Sequence, residues 1–489
     1  MSILDLIIFL PILAAIAIGA GAPARVTALA ATGANFVLGL IAWFLFDGTN
    51  EGFQLTASRP IVNVPEIGFN VGIDGLSLIM LLLTVIVSFC AIWMAPRVEK
   101  REKMYFISLL LIAAGALGAF CSTDVFFFYA FHELALIPTF LMIGIWGSGE
   151  DRVGVAWKIT IYLAVGSIVL LAGLIALQSQ LSAESLTFDF ETLKERAAVA
   201  GAISSEAQGW IFLTLLVGFG ILVSLFPFHA WAAPAYASAP APTSMLHAGV
   251  LKKFGLYGLL RFTPMLPEGL EQWRSLLIIL LLGNILFVGF VTLAQKHLDT
   301  MLGNSSVMHM GYVFLGIASW NVASGEPIGL TGAVLLMFGH GVSIALLFGL
   351  CGKLRERVGT VELSRLGGLG KHVPVFSVIF GLAAFASAGL PGFANFSGEV
   401  MVFFGGFQGY QGGTLTLLQI GTILALWGVV ISAVYLLRAY RDIFLGEEQD
   451  SSKTTSDVVA LQRIPCVILV VALLVIGFYP KLFSDLLSF

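Results

Sequence analysis

The sequence predicts an all-α membrane protein, and three observations support this fold class. Of the 489 residues, 58% are apolar and only 11% are charged, whereas a soluble domain has about 25% charged residues. The mean hydropathy is +0.96, which is more apolar surface than an aqueous fold can bury. The polar segments between the apolar runs are mostly short, so no soluble catalytic domain fits between them. We therefore expect a single membrane domain over residues 1–489.

The apolar runs predict about fourteen transmembrane helices, because each crossing needs about 20 mostly apolar residues. Helices satisfy their own backbone hydrogen bonds in lipid, so an all-α bundle follows. The first run is expected to be a helix and not a cleaved signal peptide, since no basic residue precedes it. The predicted segments are residues 3–20, 27–46, 74–95, 105–122, 125–147, 159–180, 209–228, 243–263, 274–294, 303–320, 329–350, 375–407 with a break, 415–437 and 464–482.

Basic residues predict how the bundle is oriented. Alternate loops on one side carry 17 of the 25 Lys and Arg residues, and the loops on the other side carry 6. Because basic loops stay in the cytoplasm, both termini are expected on the periplasmic side of a bacterial inner membrane. The acidic segment 181–208 then lies outside, as a solvated loop with at most one surface helix. Its acidic residues are Glu184, Asp189, Glu191, Glu195 and Glu206.

The sequence indicates no cofactor or metal held by this chain. The four cysteines form no CxxC pair, so an iron–sulfur cluster or zinc site within the chain is not expected. No dinucleotide fingerprint, phosphate loop, HxxxH or HExxH pattern occurs. The net charge of −4 gives no indication of nucleic-acid binding. Any redox chemistry that drives this protein is therefore expected in a partner.

Three charged residues lie inside apolar segments, where a charge costs at least about 2.5–3.5 kcal/mol. Glu133 stands in FHELALIP, Lys253 in GVLKKFG, and Glu399 follows a break in LPGFANFSGE. Burial disfavours the charged form of a side chain, which makes such groups exchangeable with protons. They are the candidate ion-carrying residues.

Further titratable residues accompany these three, with more than one interpretation. Lys252 lies about 100° around the helix from Lys253, so the two cannot face the same groove and one of them can be a bundle-pairing charge. His309 and His340 are single imidazoles in apolar helices and serve equally well as relays or as packed side chains. The same alternative holds for His132, next to Glu133.

Two predicted helices are interrupted. Pro391 and Gly392 break one of them, and Pro227, followed by His229, breaks the other. Broken membrane helices are tolerated where they line a cavity or are buried in protein. Two breaks in corresponding halves suggest an internal repeat, about 105–263 against about 274–437, flanked by helices 1–3 and 14.

These motifs resemble the M-type, antiporter-like subunit of respiratory complex I, the proton-pumping NADH–quinone oxidoreductase. The resemblance covers most of the chain and implies fourteen helices in two inverted five-helix repeats, with helices seven and twelve broken around a hydrophilic axis. Glu133 matches the helix-five glutamate of the family and Lys253 the central lysine of helix eight. Glu399 matches the glutamate at the exit in helix twelve, and His309 and His340 match the histidines between them. The matching motifs are GIDGLSLIM, FYAFHELALIP, AWKITIYLAVGS, FPFHAW, AGVLKKFGLYGLLR, NSSVMHMGY, FGHG, LPGFANFSGE and ISAVYLLRAYRDIFLG.

The chain departs from the family pattern at one important position. The family places a lysine seven residues before the histidine of the PFHxW motif, where it pairs with the helix-five glutamate; here that residue is Leu222. The LPDAH sequence that follows the tryptophan in the family is replaced by AAPAYAS. We hypothesise that Lys252 or His247 supplies the missing charge, since neither is typical at its position.

The expected function is proton translocation within a complex I-type assembly. The resemblance implies that NADH, FMN, iron–sulfur clusters and quinone are bound by partner subunits, and that neighbouring antiporter-like subunits are direct partners. The alternatives are a subunit of a sodium–proton antiporter or membrane-bound hydrogenase, and a scaffold that no longer pumps. Glu399 disfavours the antiporter, because most antiporter homologues have lysine there; Leu222 leaves both alternatives open.

Overall fold

The described part of the chain is a bundle of helices with a small hairpin. A computed structural model describes residues 2–50, 52–63, 66–181, 186–320, 327–449, 457 and 459–487; Glu184 lies outside the described residues. The helices are α1 (Ile3–Gly19), α2 (Ala24–Leu45), α3 (Gly75–Trp93), α4 (Glu102–Cys121), α5 (Val125–Trp146), α6 (Arg152–Leu181), α7 (Phe190–Ala197), α8 (Ser205–Val223), α9 (Ala232–Ser238), α10 (Ala241–Leu246), α11 (Lys253–Phe262), α12 (Pro267–Leu282), α13 (Gly289–Leu293), α14 (Leu298–Ala318), α15 (Ile328–Val358), α16 (Pro374–Ser387), α17 (Ala394–Gly406), α18 (Leu417–Phe444), α19 (Ala460–Phe478) and α20 (Lys481–Ser484).

Within the described residues, ten helices are long and apolar enough to cross a membrane, and α1 and α16 are shorter apolar helices. The predicted number of fourteen is therefore not confirmed, although the all-α membrane fold is. The remaining predicted segments coincide with helices that are short, interrupted or rich in polar residues. Polar residues inside a helix lower its hydropathy. Lys253 and His309 lie in such helices, whereas Glu133 and His340 lie in two of the ten long apolar helices.

The two predicted helix breaks are present. Residues 224–231 separate α8 from α9, and residues 388–393 separate α16 from α17. In the second break, Gly389 and Gly392 adopt φ angles of +73° and +94°, a region that side chains rarely enter. These glycines let the chain leave one half-helix and enter the next within six residues.

Two helices contain a π-helical turn, which the sequence did not predict. One turn, His247–Leu251, joins α10 to α11 and ends directly before Lys252. The other, Gly283–Val288, joins α12 to α13. Here Asn284 donates to the Ser224 carbonyl at 3.2 Å and accepts from the Phe226 amide at 2.6 Å. It thereby satisfies backbone groups freed by the break after α8.

An antiparallel hairpin, β1 (Gln54–Asn63) and β2 (Glu66–Ile73), lies between α2 and α3. The apolar pattern of the sequence predicts only helices, so this hairpin was not predicted. Arg59 of the hairpin pairs with Asp5 of α1, and the Phe69 ring lies 5.4 Å from that of Phe9 and 5.3 Å from that of Phe127. These contacts fix the hairpin across the ends of α1 and α5.

Both chain ends lie on the hairpin side of the bundle. Asp5 near the N-terminus contacts Arg59, and the backbone of Leu486 lies against Gly75 at the start of α3. The acidic segment contains the helix α7, in agreement with at most one surface helix. At the centre, α15 packs against α3, α10, α14, α16, α17 and α19, and the candidate site is built around it.

Candidate functional site

Lys253 is the centre of the candidate site. It is fully buried in the described chain. Its Nζ donates to the Ala248 carbonyl at 2.6 Å and lies 2.9 Å from Nδ1 of His340 on α15. The preceding π-helical turn shifts the backbone hydrogen bonds by one residue, as in the 3.0 Å bond from the Lys252 amide to the His247 carbonyl. Such turns are frequent at functional sites.

Lys252 faces a different group of residues from Lys253, as the helical geometry predicted. It is also buried. Its Nζ donates to Ser306 Oγ on α14 at 3.4 Å and lies 5.5 Å above the Tyr236 ring. The Tyr236 hydroxyl lies 3.3 Å from Nδ1 of His247. Lys252 and His247 therefore share a polar cluster, and Tyr236 connects them.

His340 and His309 continue the path from Lys253. The centres of their rings lie 5.5 Å apart. His309 Nδ1 is 2.8 Å from the Ser305 carbonyl, and its Nε2 is 2.9 Å from the Ser387 carbonyl at the end of α16. Because carbonyls only accept, both bonds form together only when the ring carries two protons. His309 is thus held in a position that suits the protonated imidazole.

Ser305 and Tyr435 connect His309 to α18. The Ser305 and Tyr435 hydroxyls lie 2.7 Å apart, and Ser305 Oγ is 3.4 Å from His309 Nδ1. Two buried polar atoms near this point have no hydrogen-bond partner within the described residues: His340 Nε2 and the Tyr312 hydroxyl. The ring of Tyr312 packs beside that of His309. Buried polar atoms of this kind are normally satisfied by water, so the path has places for water between its fixed groups.

Glu399 lies on α17, buried beside the second helix break. Its carboxylate occupies the space next to Gly389, where any side chain would collide with it. It is within electrostatic reach of the Tyr312 and Tyr435 hydroxyls. The carboxylate forms no hydrogen bond in the described chain, so a gap separates it from the Lys253–His340–His309 path.

Glu133 is less enclosed than predicted. Its side chain is 37% exposed on the surface of the chain, and its ion-pair partner is His132, with His132 Nδ1 3.6 Å from Glu133 Oε1. No ion pair or hydrogen bond joins it to Lys252 or His247, both of which are described. His132 stacks on Phe254 with 4.0 Å between ring centres. The neighbour of Glu133 in the structure is therefore His132, the residue that precedes it in the sequence.

His229, the remaining candidate, lies in the first helix break, and Leu222 lies just before it. His229 packs against Phe226 and Phe287, half-buried, and its Nδ1 has no partner within the described residues. Leu222 is buried and faces Gly166 of α6, next to Ser167 in the vicinity of Glu133. A charge is thus absent from the pairing position on α8. Neither residue is hydrogen-bonded to the path.

The hydroxyl groups that connect the titratable residues were not predicted from the sequence. Ser305, Ser306, Tyr236 and Tyr435 all bond to a candidate residue or to another member of this set. One signal was available, because Ser305 stands four residues before His309 and therefore on the same helix face. Serine and tyrosine are common in helices for other reasons, so this spacing alone does not distinguish them.

The site contains no arrangement for a metal ion. Among the described residues, no three His, Cys, Asp or Glu side chains are close enough to hold one. The site instead consists of bases, acids and hydroxyls in an apolar bundle, a composition that marks ion and proton pathways in membranes. Fold and site together define a multi-pass membrane protein with a buried row of titratable groups.

The family follows from comparison with known proteins. Residues 122–425 match the family model described as NADH:quinone oxidoreductase/Mrp antiporter, TM. NADH-quinone oxidoreductase subunit M of Rhodobacter capsulatus is 33% identical over all of this chain and 95% of its own length. NAD(P)H-quinone oxidoreductase chain 4 1 of Synechococcus elongatus is 35% identical over 97% of this chain and 88% of its own. The chain belongs to the NADH:quinone oxidoreductase/Mrp antiporter membrane family, and the resemblance to the M-type subunit is confirmed.

Solved structures show the same fold. A chain of respiratory complex I from Thermus thermophilus with bound NADH superimposes with a TM-score of 0.87 at 29% identity, covering 99% of this chain and all of that one. A chain of the membrane-bound sulfane sulfur reductase, an archaeal respiratory membrane complex, gives 0.83 at 19% identity, covering 98% and 76%. The second likeness concerns the fold alone.

Proposed function

We propose that this chain is a proton-translocating membrane subunit of an NADH–quinone oxidoreductase of the complex I type. The observation that carries the proposal is the buried path Lys253–His340–His309. Lys253 Nζ lies 2.9 Å from His340 Nδ1, and the ring centres of His340 and His309 lie 5.5 Å apart. Buried bases so close together exchange a proton, but they cannot all be charged at once.

The path operates through changes of charge along the row. A proton on Lys253 Nζ passes to His340 Nδ1, and a water molecule beside His340 Nε2 relays a proton to His309. From His309, Ser305 and Tyr435 lead towards Glu399, which would release the proton through the broken helix. Charge changes in a neighbouring subunit would shift the proton affinity of each group in turn.

The exposed side of Glu133 supports direct contact with another membrane subunit. A carboxylate facing lipid is costly, and Glu133 is 37% exposed when the chain is alone. A neighbouring subunit that covers this face would enclose Glu133 and connect it to the path. NADH, flavin, iron–sulfur clusters and quinone are assigned to partner subunits, which supply the energy.

The proposal includes the orientation of the bundle in the membrane and its division into two repeats. The basic loops would face the cytoplasm and both chain ends the periplasm of a bacterial inner membrane. The two broken helices, α8–α9 and α16–α17, would occupy equivalent positions in two inverted repeats, about 105–263 and 274–437. Each break lies in the last third of its segment, which supports this division.

The decisive experiment is to replace Lys253 by methionine in the complete assembly, reconstituted in vesicles. Proton translocation per NADH oxidised should fall by about 100-fold or more, since a positioned proton-transfer group contributes at least that factor. Lys103→Met, which removes an exposed lysine at the start of α4, is the control and should pump normally. Assembly is checked by quinone reduction with the membrane made leaky to protons.

Full translocation by Lys253→Met would contradict the proposal and favour a scaffold that does not pump. Translocation that requires sodium on the opposite side would instead favour the antiporter alternative.

A further inference from the structure

A cavity large enough for water opens at the basic-loop face of the bundle and leads towards Lys252. Its volume is about 230 Å³, enough for several water molecules. Its rim carries Ser148, Asp299 and Arg355, and Tyr236 and Ser244 lie deeper. Arg355 pairs with Asp299 and also donates to Ser148 Oγ at 3.1 Å. We call this cavity the basic-face vestibule.

Tyr236 connects the vestibule to the interior. One side of this residue lines the cavity, its hydroxyl lies 3.3 Å from His247 Nδ1, and its ring lies 5.5 Å below Lys252 Nζ. His247 Nε2 is buried and has no hydrogen-bond partner within the described residues. A single residue thus separates solvent on the basic side from two buried bases.

Helix α14 provides a polar stripe beside this route. Asp299 at the vestibule rim and Ser306 beside Lys252 are seven residues apart, so they lie on one helix face two turns from each other. Three residues beyond Ser306 lies His309, a member of the path from Lys253. The stripe therefore runs from the vestibule past Lys252 to the main path.

The surroundings of Lys252 do not fit a structural charge. Buried charges retained for stability are normally paired with an opposite charge. No carboxylate pairs with Lys252 in the described chain, and its neighbours are a serine hydroxyl and a tyrosine ring. A lysine in this setting is able to alternate between neutral and protonated forms.

We infer that Lys252, with His247 and Tyr236, is the entry site at which protons from the basic-face vestibule join the path. This inference rests on the proposed function and names its point of uptake. It places uptake on the helix that carries Lys253, while the pairing position on α8 holds the uncharged Leu222. A proton from vestibule water passes to His247 or Lys252 and then along Ser306 towards His309, with Lys252 neutral before it accepts.

The first test compares Lys252→Met with Lys103→Met and Lys253→Met in the complete assembly. Lys252→Met should lose proton translocation per NADH oxidised by about 100-fold or more and still reduce quinone in leaky vesicles; Lys103→Met should match the wild type. Tyr236→Phe, which keeps the ring and removes the hydroxyl, should slow translocation by about tenfold. Full translocation by Lys252→Met, together with loss in Lys253→Met, would overturn the entry site and leave the proposed function intact. Full translocation by both would overturn both.

A second test does not depend on how the Lys252 variant folds. All four native cysteines are buried, so a bulky thiol reagent applied from the basic side should react with an introduced surface cysteine. Ser148→Cys places the reagent at the vestibule, and Ser364→Cys places it on the same side away from the vestibule. Labelled Ser148→Cys should lose most of its translocation and labelled Ser364→Cys should retain it. Equal rates in the two labelled variants would rule out entry through the vestibule.

Discussion

Adjacent residues in this chain have different environments, and Lys252 and Lys253 illustrate this best. Lys253 meets His340 on α15, whereas Lys252 meets Ser306 on α14. The sequence predicted that the two diverge, because neighbours on a helix differ by about 100°. It did not predict which lysine would meet which helix, since that depends on packing around α15.

The predictability of the site follows the rarity of its residues. Lys253, Glu399, His309 and His340 were identified because charged and imidazole groups are scarce in apolar helices. Tyr236 and Ser306 were not, because hydroxyl residues occur there for many reasons. The exposure of Glu133 was also missed, since an amino-acid sequence does not say which face of a helix is left uncovered.

Gly389 is the residue on which the position of Glu399 depends. We expect Gly389→Ala to move the Glu399 carboxylate, because the new methyl group would occupy its place and the φ angle of +73° is itself unfavourable. Proton translocation should fall by about tenfold or more, and the free energy of unfolding by about 1–3 kcal/mol.

Gly409→Ala separates these two effects. Gly409 has a φ angle of +77° and nothing within 4 Å of the added carbon, so only the backbone penalty applies. This variant should pump normally. If Gly389→Ala also pumps normally, Glu399 does not act from its position beside Gly389.

At the scale of elements, α5 begins at a buried carboxylate. Asp124 accepts from the amides of Phe126 at 2.8 Å and Phe127 at 3.2 Å. Burial raises the pKa of this loop carboxyl from 3.8 to about 6, although the backbone amides act in the opposite direction. A raised folded-state pKa means that the folded state binds a proton more tightly than the unfolded state does. This group therefore stabilises the fold least above pH 6.

We expect Asp124→Asn to keep the helix cap and remove this pH dependence. Relative to the variant, the wild type should lose about 3 kcal/mol of unfolding free energy as the pH rises from about 3 to about 7, with about 2 kcal/mol of this loss between about pH 4 and about pH 6. Thermal unfolding in detergent across this range measures the difference. Glu448→Gln is the control of opposite sign, since a hydrogen bond from Lys371 lowers the pKa of Glu448; its contribution is lost as the pH falls. A wild-type-minus-Asn difference that is flat with pH would contradict the assignment.

The network around Arg261 holds three elements together. Arg261 of α11 pairs with Asp74 before α3 and donates to Ser77 Oγ at 2.8 Å, and its guanidinium lies 5.1 Å from the centre of the Phe53 ring next to the hairpin. Both charged side chains are mostly buried, with 14% and 22% exposed.

We expect Arg261→Gln to destabilise the fold by about 3–5 kcal/mol, because it leaves the Asp74 carboxylate buried without its partner. Glu356→Gln removes the partner of Lys353 on α15, and because the Glu356 side chain is 41% exposed, the change should cost at most about 1 kcal/mol. Melting temperatures in detergent test both. A loss in Arg261→Gln no larger than that in Glu356→Gln would show that this network is dispensable.

At the scale of the whole molecule, the fold class was predictable and its details were not. Hydropathy dictates a helical bundle, because lipid requires every backbone group to be satisfied within the segment. The paired strands β1 and β2 and both π-helical turns depend on contacts between distant parts of the chain. Pro227 and Pro391 did predict the two breaks, because proline removes a donor wherever it stands.

The exposed face around Glu133 predicts where a neighbouring subunit docks. Ile137, one turn further along α5, has a relative exposure of 70%. A second cysteine is introduced into the membrane subunit that faces this surface. In the complete assembly, a short bifunctional thiol reagent should then cross-link Ile137→Cys to that subunit. Phe44→Cys on α2, 85% exposed, is the comparison. Reaction of Ile137→Cys with a lipid-soluble maleimide as freely as Phe44→Cys would contradict docking at this face.

The π-helical turn before Lys252 gives the chain one residue more than a regular helix would use over the same rise. Deleting Val250 would remove that surplus and let α10 and α11 merge without moving either from its neighbours. The Ala248 carbonyl would then accept an ordinary helical hydrogen bond from a main-chain amide and would no longer accept one from Lys253 Nζ. A shortening by a single codon should therefore leave a protein that inserts and assembles, yet has lost the anchor of its central base.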